Sequence, residues 1–473
     1  MSTRLPRLHE LASLSAVVAI AAATVAAGQL FARASAGRPR VASDETLREP
    51  SVISSRNGVL RVALNAAPSI IDVAGKRARA EVYDGSYLPP TLRVRPGDEM
   101  RIRLVNALDE PTNLHTHGLS VSPRGTSDDI FLRVAPGQAQ EYDIRLPASQ
   151  SPGLYWYHPH SHGNSDEQVR NGMSGALIVD GLLDPFPALR NVHERLLLLK
   201  DIQIDGGRVA HLGIGKQSVR TIDGQMNPTI VMRPGETQLW RIGNIGADLY
   251  YELSLDGHPF FVVARDGHRL ARVERADTLV LSPGARAEVL VQGGAPGTYV
   301  LRTGDIDTGP AGNTYRGATL ATLRVEGAPE HPIALPTDLL PVEDLRPRVT
   351  GRRTIVFSES RDGNSFFIDG KAFDMSRTDQ RVKLGTVEEW TIRNQADERH
   401  SFHIHQTPFQ VAEINGVAQP ADGYRDIVDV PIGGEVKVVI PFTDPNIVGR
   451  FVFHCHILSH EDRGMMATIE VDP

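Results

Sequence analysis

A stretch near the C-terminus, His454-Cys455-His456 followed by His460 and Met465, holds residue types that bind transition metals. Cys455 is the only cysteine in the chain, and His460 and Met465 follow it by five and ten residues. In a β-strand, neighbouring side chains point to opposite faces, so Cys455 would face one way and both flanking histidines the other. This short segment can therefore contribute to two metal sites, which the backbone between neighbouring residues would connect.

The chain that carries this stretch contains a long internal repeat. Each of three copies has an Arg or Lys two residues before a glycine, then alternating polar and apolar residues that end in an asparagine, at 95–106, 233–244 and 383–394. Such alternation is typical of a β-strand with one buried face. Two further glycines recur in every copy and mark a turn and the start of a strand: Gly137 and Gly153, Gly284 and Gly297, Gly433 and Gly449. The repeat predicts three domains built on one plan.

The composition agrees with this plan. A chain of 473 residues is expected to hold about three domains of ~150 residues, and 43 Gly and 32 Pro suit many short strands and turns. We predict an all-β fold of three consecutive Greek-key β-sandwich domains, at residues 56–186, 187–335 and 350–473, with a proline-rich linker at 329–347. The net charge of −7 gives no sign of nucleic-acid binding.

Aligning the copies pairs the histidines of the first copy with those of the third. Counted from the repeated asparagine and glycine, two His-x-His pairs superpose without gaps on two others: His115/His117 on His403/His405, and His158/His160 on His454/His456. The middle copy has no such pair, because its corresponding strand reads Val300-Leu301-Arg302. The eight imidazoles, in two matching sets, predict a metal cluster at the interface of the first and third domains.

The first and third copies also differ at two informative positions. Pro159 occupies the position of Cys455, and Thr112 occupies the position of His400. The first copy therefore lacks a thiolate but keeps its paired histidines. The unpaired residues His400, Cys455 and His460 predict a separate site that lies wholly within the third domain.

The ligand types favour copper at this separate site. Two imidazoles, one thiolate and a long axial thioether suit copper that cycles between Cu(I) and Cu(II). Met465 is the axial candidate, and its neighbour Met466 is expected to pack in the core. Zinc also binds Cys and His, but a zinc site would not need a cysteine between two histidines that serve another site. The eight paired imidazoles suit a three-copper cluster that holds O2, and Cys455 offers electrons a covalent route to it.

Four motifs together resemble those of the multicopper oxidases, the family of laccases, ascorbate oxidase, bacterial spore-coat laccases and periplasmic cuprous oxidases. The motifs are His115-Thr116-His117-Gly118, Tyr157-His158-Pro159-His160-Ser161-His162-Gly163, His400-Ser401-Phe402-His403-Ile404-His405, and the stretch from His454 to Met465. The resemblance covers roughly residues 56–473. It implies three cupredoxin-like domains and four copper ions.

The resemblance also implies which residues bind each copper. Type 1 copper would take His400, Cys455, His460 and axial Met465, type 2 copper would take His115 and His403, and the type 3 pair would take His117, His158, His160, His405, His454 and His456. The sequence departs from the family pattern at Thr116, where tryptophan is usual, and at Ser401, where proline is usual. Neither residue supplies a ligand, so the implied metal assignment is unaffected.

Two acidic residues are candidates for proton delivery, which the reduction of O2 to water requires. Asp128 follows the first motif, where the family has an acid near the cluster, and Asp129 is the spare candidate. The alternative for Asp128 is a turn residue. Glu461 follows His460, where relatives use a glutamate as a second relay, and its alternative is an exposed charge. His162 is expected to lie beside the site or at the surface rather than to bind metal.

The resemblance leaves the electron donor open. Laccase-like oxidation of phenols or aromatic amines is the first choice, and oxidation of Cu(I) for copper tolerance is the alternative. The motif spelling favours the cuprous oxidases, but the chain has only eight methionines and no methionine-rich insert, whereas Cu(I) prefers thioether ligands. Asp397, Glu398 and Asp462 could form an acidic docking patch. A non-enzymatic envelope protein, as some relatives that have lost ligands are, is a further alternative, although every ligand is retained here.

The N-terminus has the pattern of an export signal. Arg4 and Arg7 precede an apolar run at 11–27, and Ala34-Ser35-Ala36 offers a cleavage site, so residues 1–36 are predicted to be a signal peptide. An uncleaved membrane anchor is the alternative. We therefore expect an exported protein, periplasmic or extracellular in a bacterium, that is monomeric and free of the membrane after cleavage. Its expected partners are O2 and a small reducing substrate.

Overall fold

The computed structural model of the chain describes residues 45–212 and 218–473. The predicted signal peptide, residues 1–36, lies outside the described residues. Strands account for 50% of the described residues and helices for 4%, which confirms the all-β prediction. None of the helices in the described part of the chain is long and apolar enough to cross a membrane.

The first domain contributes nine strands and one short helix. They are β1 (Val52–Ser54), β2 (Val59–Val73), β3 (Lys76–Tyr83), β4 (Thr91–Val94), β5 (Glu99–Asn106), β6 (His115–His117), β7 (Ala139–Arg145), β8 (Gly153–His158), α1 (Ser165–Asn171) and β9 (Gly175–Val179).

The middle part of the chain supplies the next fifteen strands. They are β10 (His193–Ile202), β11 (Ile204–Asp205), β12 (Arg208–Val209), β13 (Val219–Ile222), β14 (Thr229–Met232), β15 (Thr237–Asn244), β16 (Tyr251–Leu255), β17 (Phe260–Arg265), β18 (His268–Ala276), β19 (Leu279–Leu281), β20 (Arg286–Gln292), β21 (Gly297–Thr303), β22 (Ile306–Asp307), β23 (Thr314–Tyr315) and β24 (Ala318–Val325).

The third domain contains the remaining strands, a short helix and two single-turn 3-10 helices, Arg346–Arg348 and Pro445–Ile447. The other elements are β25 (Gly351–Glu359), β26 (Phe366–Ile368), β27 (Gln380–Lys383), β28 (Thr386–Asn394), β29 (His400–Ile404), β30 (Gln410–Ile414), β31 (Val417–Ala418), β32 (Ile427–Val430), β33 (Glu435–Phe442), β34 (Gly449–Cys455), α2 (Leu458–Asp462) and β35 (Met466–Asp472).

Each domain pairs two sheets; the second and third domains have the same strand connectivity, and the first shares four strands of each sheet with them. The sheets run β1-β4-β9-β8-β6 with β11-β12-β3-β2-β5-β7, then β14-β24-β21-β16-β19 with β13-β10-β15-β20-β17-β18, and finally β27-β35-β34-β29-β32 with β26-β25-β28-β33-β30-β31. In every domain the first long strand pairs in parallel with the repeated strand that ends in asparagine: β2 with β5, β10 with β15, and β25 with β28. The short strands β11 and β12 come from the predicted second domain, yet they extend a sheet of the first.

The repeated asparagine has the same structural role in all three domains. Asn106, Asn244 and Asn394 are buried, and each side-chain amide donates to one main-chain carbonyl in the loop that follows its strand and to a second carbonyl 28–37 residues away. A buried amide must find such partners, so this side chain fixes how the chain leaves the strand. In the first and third domains, that exit leads directly to the strand with the first histidine pair.

The histidine-bearing strands lie side by side in the sheets of the first and third domains. β6 pairs with β8 so that His115 lies opposite His158, and β29 pairs with β34 so that His403 lies opposite His454. All residues of these four strands are buried except Arg450, which is half-buried. Each sheet therefore presents its histidine pairs toward the molecular interior rather than toward solvent.

Candidate metal centres

The structure brings the eight paired histidines together in three buried groups. Within each group the ring nitrogens lie within 4.8 Å of one another. The groups are His117, His158 and His456; His160, His405 and His454; and His115 and His403 with His117 at their edge. Each three-histidine group combines residues from the first and third domains, as the sequence predicts for a shared cluster.

The ring nitrogens of the groups converge to short distances across the boundary between the first and third domains. His454 Nε2 lies 3.2 Å from both His160 Nε2 and His405 Nε2, and His456 Nε2 lies 3.2 Å from His117 Nδ1. Burial lowers the pKa values of these rings, so each ring is neutral and carries one lone pair. Neutral imidazole is the form that binds metal.

Several inward nitrogens have no hydrogen-bond partner at all. These atoms include Nε2 of His115, His158 and His403. The other ring nitrogen of each residue is held: His115 Nδ1 lies 3.1 Å from Asp128, His158 Nδ1 lies 2.9 Å from the Pro159 carbonyl, and His403 Nδ1 lies 2.8 Å from the Asp426 carbonyl. Unpaired buried acceptors are costly, and metal ions at the centres of the groups would satisfy them. The residues therefore fit a copper cluster.

A second centre lies on the other side of the strand that carries Cys455. Cys455 Sγ is 3.7 Å from His400 Nδ1 and 4.0 Å from His460 Nδ1, and the two ring nitrogens are 3.3 Å apart. The main-chain N–H of Ser401 donates to the sulfur at 3.5 Å. Burial raises the pKa of the Cys455 thiol, so a thiolate here needs a cation beside it. Two imidazoles and one sulfur in a dry pocket suit copper.

The axial candidate Met465 lies next to this centre. Its side chain is fully buried, and its carbonyl accepts a hydrogen bond from the Cys455 N–H at 3.1 Å. The Phe366 ring stacks on the His460 ring with centroids 4.0 Å apart, and the Arg463 guanidinium lies over the Phe366 ring, 4.7 Å from its centroid. Aromatic and thioether groups thus keep water from the Cys455 centre.

Asp128 lies at the cluster, as its proton-delivery role would require. Its side chain is buried, lies 3.1 Å from His115 Nδ1, and accepts hydrogen bonds from the Thr116 N–H and the Gln406 amide. Asp129 is only half-buried and accepts from the main-chain N–H of Phe131. The structure therefore distinguishes the two neighbouring carboxyl groups and brings Asp128 to the histidines.

Glu461 is buried behind the His160, His405 and His454 group rather than exposed. Its carboxyl oxygens lie 3.1 Å from His454 Nδ1 and 3.5 Å from His160 Nδ1, with no well-aligned hydrogen bond to either ring. Burial raises the pKa of Glu461 well above its ordinary value, and the neighbouring Asp462 adds to the shift. A protonated carboxyl group beside the cluster is placed to donate a proton.

The proposed acidic docking patch does not form as the sequence suggested. Glu398 is buried with Oε1 3.3 Å from His460 Nε2, and burial raises its pKa to about 8. The carboxylate of Asp462 accepts from the N–H groups of Gly163 and Asp166 at 2.7 and 2.8 Å. Asp397 is the one member of the trio that is exposed. The carboxyl groups of Glu398 and Asp462 therefore contact groups within the protein rather than forming an exposed acidic surface.

Two important residues near the cluster were missed by sequence reasoning. Asp426 lies 3.1 Å from His117 Nε2, and Arg286 of the second domain forms a two-pronged ion pair with Asp426 at 2.6 and 2.7 Å. Burial raises the pKa of Asp426 to about 7, and nearby Asp266 adds to this while Arg286 opposes it. Neither residue belongs to a histidine motif, so no local signal marked them. His162 is exposed beside Phe373 and takes no part in the groups.

The chain is similar to known proteins along most of its length. Family models described as multicopper oxidase match residues 66–183, 201–328 and 346–473. The multicopper oxidase mco of Staphylococcus aureus is 28% identical over 402 residues, 82% of this chain and 83% of that protein. The cell division protein FtsP of Escherichia coli K12 is 28% identical over 423 residues, 84% of this chain and 87% of that protein.

Solved structures show the same similarity. A multicopper oxidase from Campylobacter jejuni, described as a metallo-oxidase, matches with a TM-score of 0.79 and 28% identity over 91% of this chain and 95% of that one. A laccase-like multicopper oxidase from Ochrobactrum sp., with oxidase activity towards lignin model compounds, matches with a TM-score of 0.77 and 28% identity over 90% and 100%. The predicted fold of three consecutive cupredoxin-like domains is confirmed.

Proposed function

The chain belongs to the multicopper oxidase family, and we propose that it couples one-electron oxidation of a small donor to the four-electron reduction of O2 to water. One observation carries this proposal. Cys455 faces one centre, while its two bonded neighbours, His454 and His456, belong to the two different three-histidine groups of the other centre. Electrons that enter at Cys455 thus have a covalent path of one residue to either group.

We assign the metal ligands according to these groups. Type 1 copper would be held by His400, Cys455, His460 and Met465; type 2 by His115 and His403; and the type 3 pair by His117, His158 and His456 together with His160, His405 and His454. When bound, these four copper ions supply the one-electron redox steps and the binding of O2. The chain's own groups orient the rings through the carbonyls of Pro159 and Asp426 and through Asp128.

Proton delivery is assigned to two carboxyl groups on opposite sides of the cluster. Asp128 contacts the ring of His115, and Glu461 lies behind His454 and His160. Each pair of waters formed requires four protons, and Asp128 and Glu461 are buried acids beside cluster rings that are not paired with an arginine, whereas Asp426 is paired with Arg286. Asp128 would also fix the ring orientation of His115, so its two roles are not independent.

For the donor, laccase-like oxidation of phenols or aromatic amines remains our first proposal. Phe366 stacks on the His460 ring and Glu398 Oε1 lies 3.3 Å from His460 Nε2, so an apolar ring and one carboxyl group lie at this outer histidine. The alternative is oxidation of Cu(I), and the similarity to the metallo-oxidase from Campylobacter jejuni is an argument for it. The shortage of methionines counts against it, because Cu(I) prefers soft ligands.

A non-enzymatic role is the alternative of a different class, since a cell division protein is among the relatives. Retention of the Cys455 centre and of all eight paired histidines argues against it. An envelope role would need neither a buried thiol between two histidines nor unpaired ring nitrogens that converge in three groups. We also propose that the protein is exported and acts as a monomer.

The proposal is tested by loading the protein with copper, removing the excess, and measuring donor and O2 consumption together. We expect four coppers per chain, an intense blue thiolate-to-copper band, and four donor electrons consumed per O2 without release of hydrogen peroxide. A colourless protein, or one that is blue but consumes no O2 with any donor, would refute the enzymatic role. Comparison of kcat/KM for a phenol and for Cu(I) on this same preparation then chooses the donor.

A further inference from the structure

The second domain supplies no histidine to the four ligand groups, yet one of its side chains touches all three domains beside the cluster. Arg286 is 1% exposed and begins strand β20. Its Nε donates to the Leu154 carbonyl of the first domain at 3.1 Å, and its Nη1 donates to the Gly284 carbonyl of the second at 3.1 Å. Both Nη atoms donate to the Asp426 carboxylate of the third domain.

Asp426 in turn contacts two histidine rings, one from the first domain and one from the third. Its carboxyl oxygen Oδ1 lies 3.1 Å from Nε2 of His117, which comes from the first domain. Its main-chain carbonyl lies 2.8 Å from Nδ1 of His403, which comes from the third. The other nitrogens of these rings face the cluster: His117 Nδ1 lies 3.2 Å from His456 Nε2, and His403 Nε2 has no hydrogen-bond partner. The position of Asp426 therefore sets the direction of one ring in each of two ligand groups.

The packing around this ion pair leaves little space for it to move. A side chain at Gly118 would place its Cβ 2.4 Å from Asp426 Oδ2 and 2.8 Å from Arg286 Nη2, and Gly118 has a φ of +90°. A Cβ at Gly284 would lie 3.0 Å from the His456 ring. The second domain thus meets the cluster at two points, with the guanidinium against Asp426 and the Gly284 backbone against His456.

From these contacts we propose that the second domain positions the copper cluster through Arg286, which fixes Asp426 and thereby the rings of His117 and His403. The inference rests on the proposed function in one respect, that the eight histidines bind copper. Arg286 is a positioning residue, because its side chain acts on the proposed ligand rings through Asp426. Its role explains why a domain without ligands is built against both domains that have them.

The geometry needs arginine rather than any cation. The planar guanidinium of Arg286 donates four hydrogen bonds to three groups, namely two main-chain carbonyls and the Asp426 carboxylate. Lysine cannot reproduce the paired bonds to the carboxylate. Loss of a partner that holds a metal-binding histidine commonly weakens metal binding 10–100-fold. Arg286→Lys keeps the charge but loses this geometry, so it separates orientation from simple charge compensation.

The chain offers a matched control in the same sheet. Arg241 and Glu288 form another buried ion pair on strands β15 and β20, and neither side chain touches a ring of the cluster. Arg241→Lys should therefore lower the melting temperature of the copper-free protein about as much as Arg286→Lys does. It should leave copper binding unchanged.

The experiment titrates copper-free wild type, Arg286→Lys, Arg241→Lys and Asp426→Asn with copper in the presence of a competing chelator. Bound copper is counted by mass spectrometry, and the type 2 signal is followed by electron paramagnetic resonance. We expect Arg286→Lys and Asp426→Asn to bind the cluster coppers at least tenfold more weakly and to show an altered type 2 signal. Both should keep the blue band of the Cys455 centre.

Each outcome decides the inference. Four coppers with unchanged affinity and a wild-type type 2 signal in Arg286→Lys would overturn it, and so would an equal loss of copper in Arg241→Lys, since that loss would reflect stability alone. If Arg286→Lys does not fold, Asp426→Asn supplies the same readout without removing the cation. A wild type that binds fewer than four coppers would instead refute the proposed function, which keeps the two failures distinct.

Discussion

The first and third domains use one strand arrangement for different chemical purposes. In each, a short histidine strand pairs with a second one, and the residue between the second pair of histidines accepts a hydrogen bond through its carbonyl. His158 Nδ1 lies 2.9 Å from the Pro159 carbonyl, and His454 Nδ1 lies 3.0 Å from the Cys455 carbonyl. The backbone geometry that orients the rings is thus the same in both copies, and it does not depend on the side chain between them.

The two domains differ on the opposite face of the same strands. In the third domain, that face holds Cys455 with His400 and His460. In the first domain, the position of His400 is taken by Thr112, whose hydroxyl donates to the Gln168 side chain at 2.9 Å. A neutral hydrogen-bonded pair fills the space where the other copy has metal ligands. The cluster therefore takes its ligands from both copies, whereas electron entry depends on Cys455, His400 and His460, which only the third copy carries.

The largest expected effect comes from removing a cluster ligand that the first domain provides. His160→Gln removes one of three rings in its group, and we expect oxidase activity to fall at least about 10³-fold, because O2 reduction fails without an intact cluster. The blue band should remain, since Cys455, His400 and His460 are untouched. Steady-state O2 consumption and the visible spectrum check this. Loss of the blue band would show that the two centres do not assemble separately.

Replacing the buried acid that faces both copies should have a smaller effect. Glu461→Gln keeps the shape but cannot release a proton, and we expect kcat to fall roughly 10²-fold, as is typical for loss of a general acid. Reduction of the blue centre by donor, measured without O2 by stopped flow, should stay within about twofold. The exposed neighbour Glu167→Gln is the control. An unchanged kcat in Glu461→Gln would remove Glu461 from the proton path.

Acid should destabilise the copper-free protein more than the copper-loaded one. Burial lowers the pKa values of His400 and His454 to about 3, while the unfolded chain binds protons near the ordinary value of about 6.5. The unfolded state therefore binds more protons as the pH falls below about 6.5, and each ring then costs about 1.4 kcal/mol of stability per pH unit. The free energy of unfolding is therefore retained above about pH 6.5 and falls as the pH drops below that value.

Urea unfolding at pH 7 and pH 5, with and without copper, measures this difference. At pH 5 each of these two rings should cost the copper-free protein roughly 2 kcal/mol, whereas bound copper occupies the ring nitrogens and should shift the loss to lower pH. Equal acid sensitivity of the two forms would mean that His400 and His454 do not hold metal.

The smallest effect is expected from the residue that most clearly separates the two copies in sequence. Pro159→Ala keeps the carbonyl that accepts from His158, so we expect kcat to change by less than about threefold and copper content to stay the same. Copper analysis and donor oxidation check this. A tenfold loss would show that Pro159 contributes rigidity that the hydrogen bond alone does not supply.

The fold and the grouping of the histidines into one cluster could be predicted from the sequence, because both depend on short-range patterns. Alternation and repeated glycines mark the strands, and gapless spacing from Asn106 and Asn394 places the histidine pairs. The Arg286–Asp426 pair could not be found this way, because it joins residues 140 positions apart in different domains and has no motif of its own. Glu398 was expected at the surface for a similar reason.

Glu398 is buried because the second domain covers the segment before His400. The Arg399 N–H donates to the Thr308 carbonyl at 2.7 Å, and the Ala311 N–H donates to the Asp397 carbonyl at 3.2 Å. Packing between domains decides the exposure of such residues, and a single sequence does not record which loop covers which strand. The parts of the site that escaped prediction are therefore those that depend on contacts with the second domain.

The copper content and spectrum of Cys455→Ser test the role of Cys455 most directly. We expect this variant to lose the intense blue band and one of four coppers, to keep the three cluster coppers with a normal type 2 signal, and to oxidise no donor at a measurable rate. A variant that retains the blue band, or that is colourless yet oxidises donors as fast as wild type, would contradict the claim that Cys455 is the electron entry point to a cluster shared by the first and third domains.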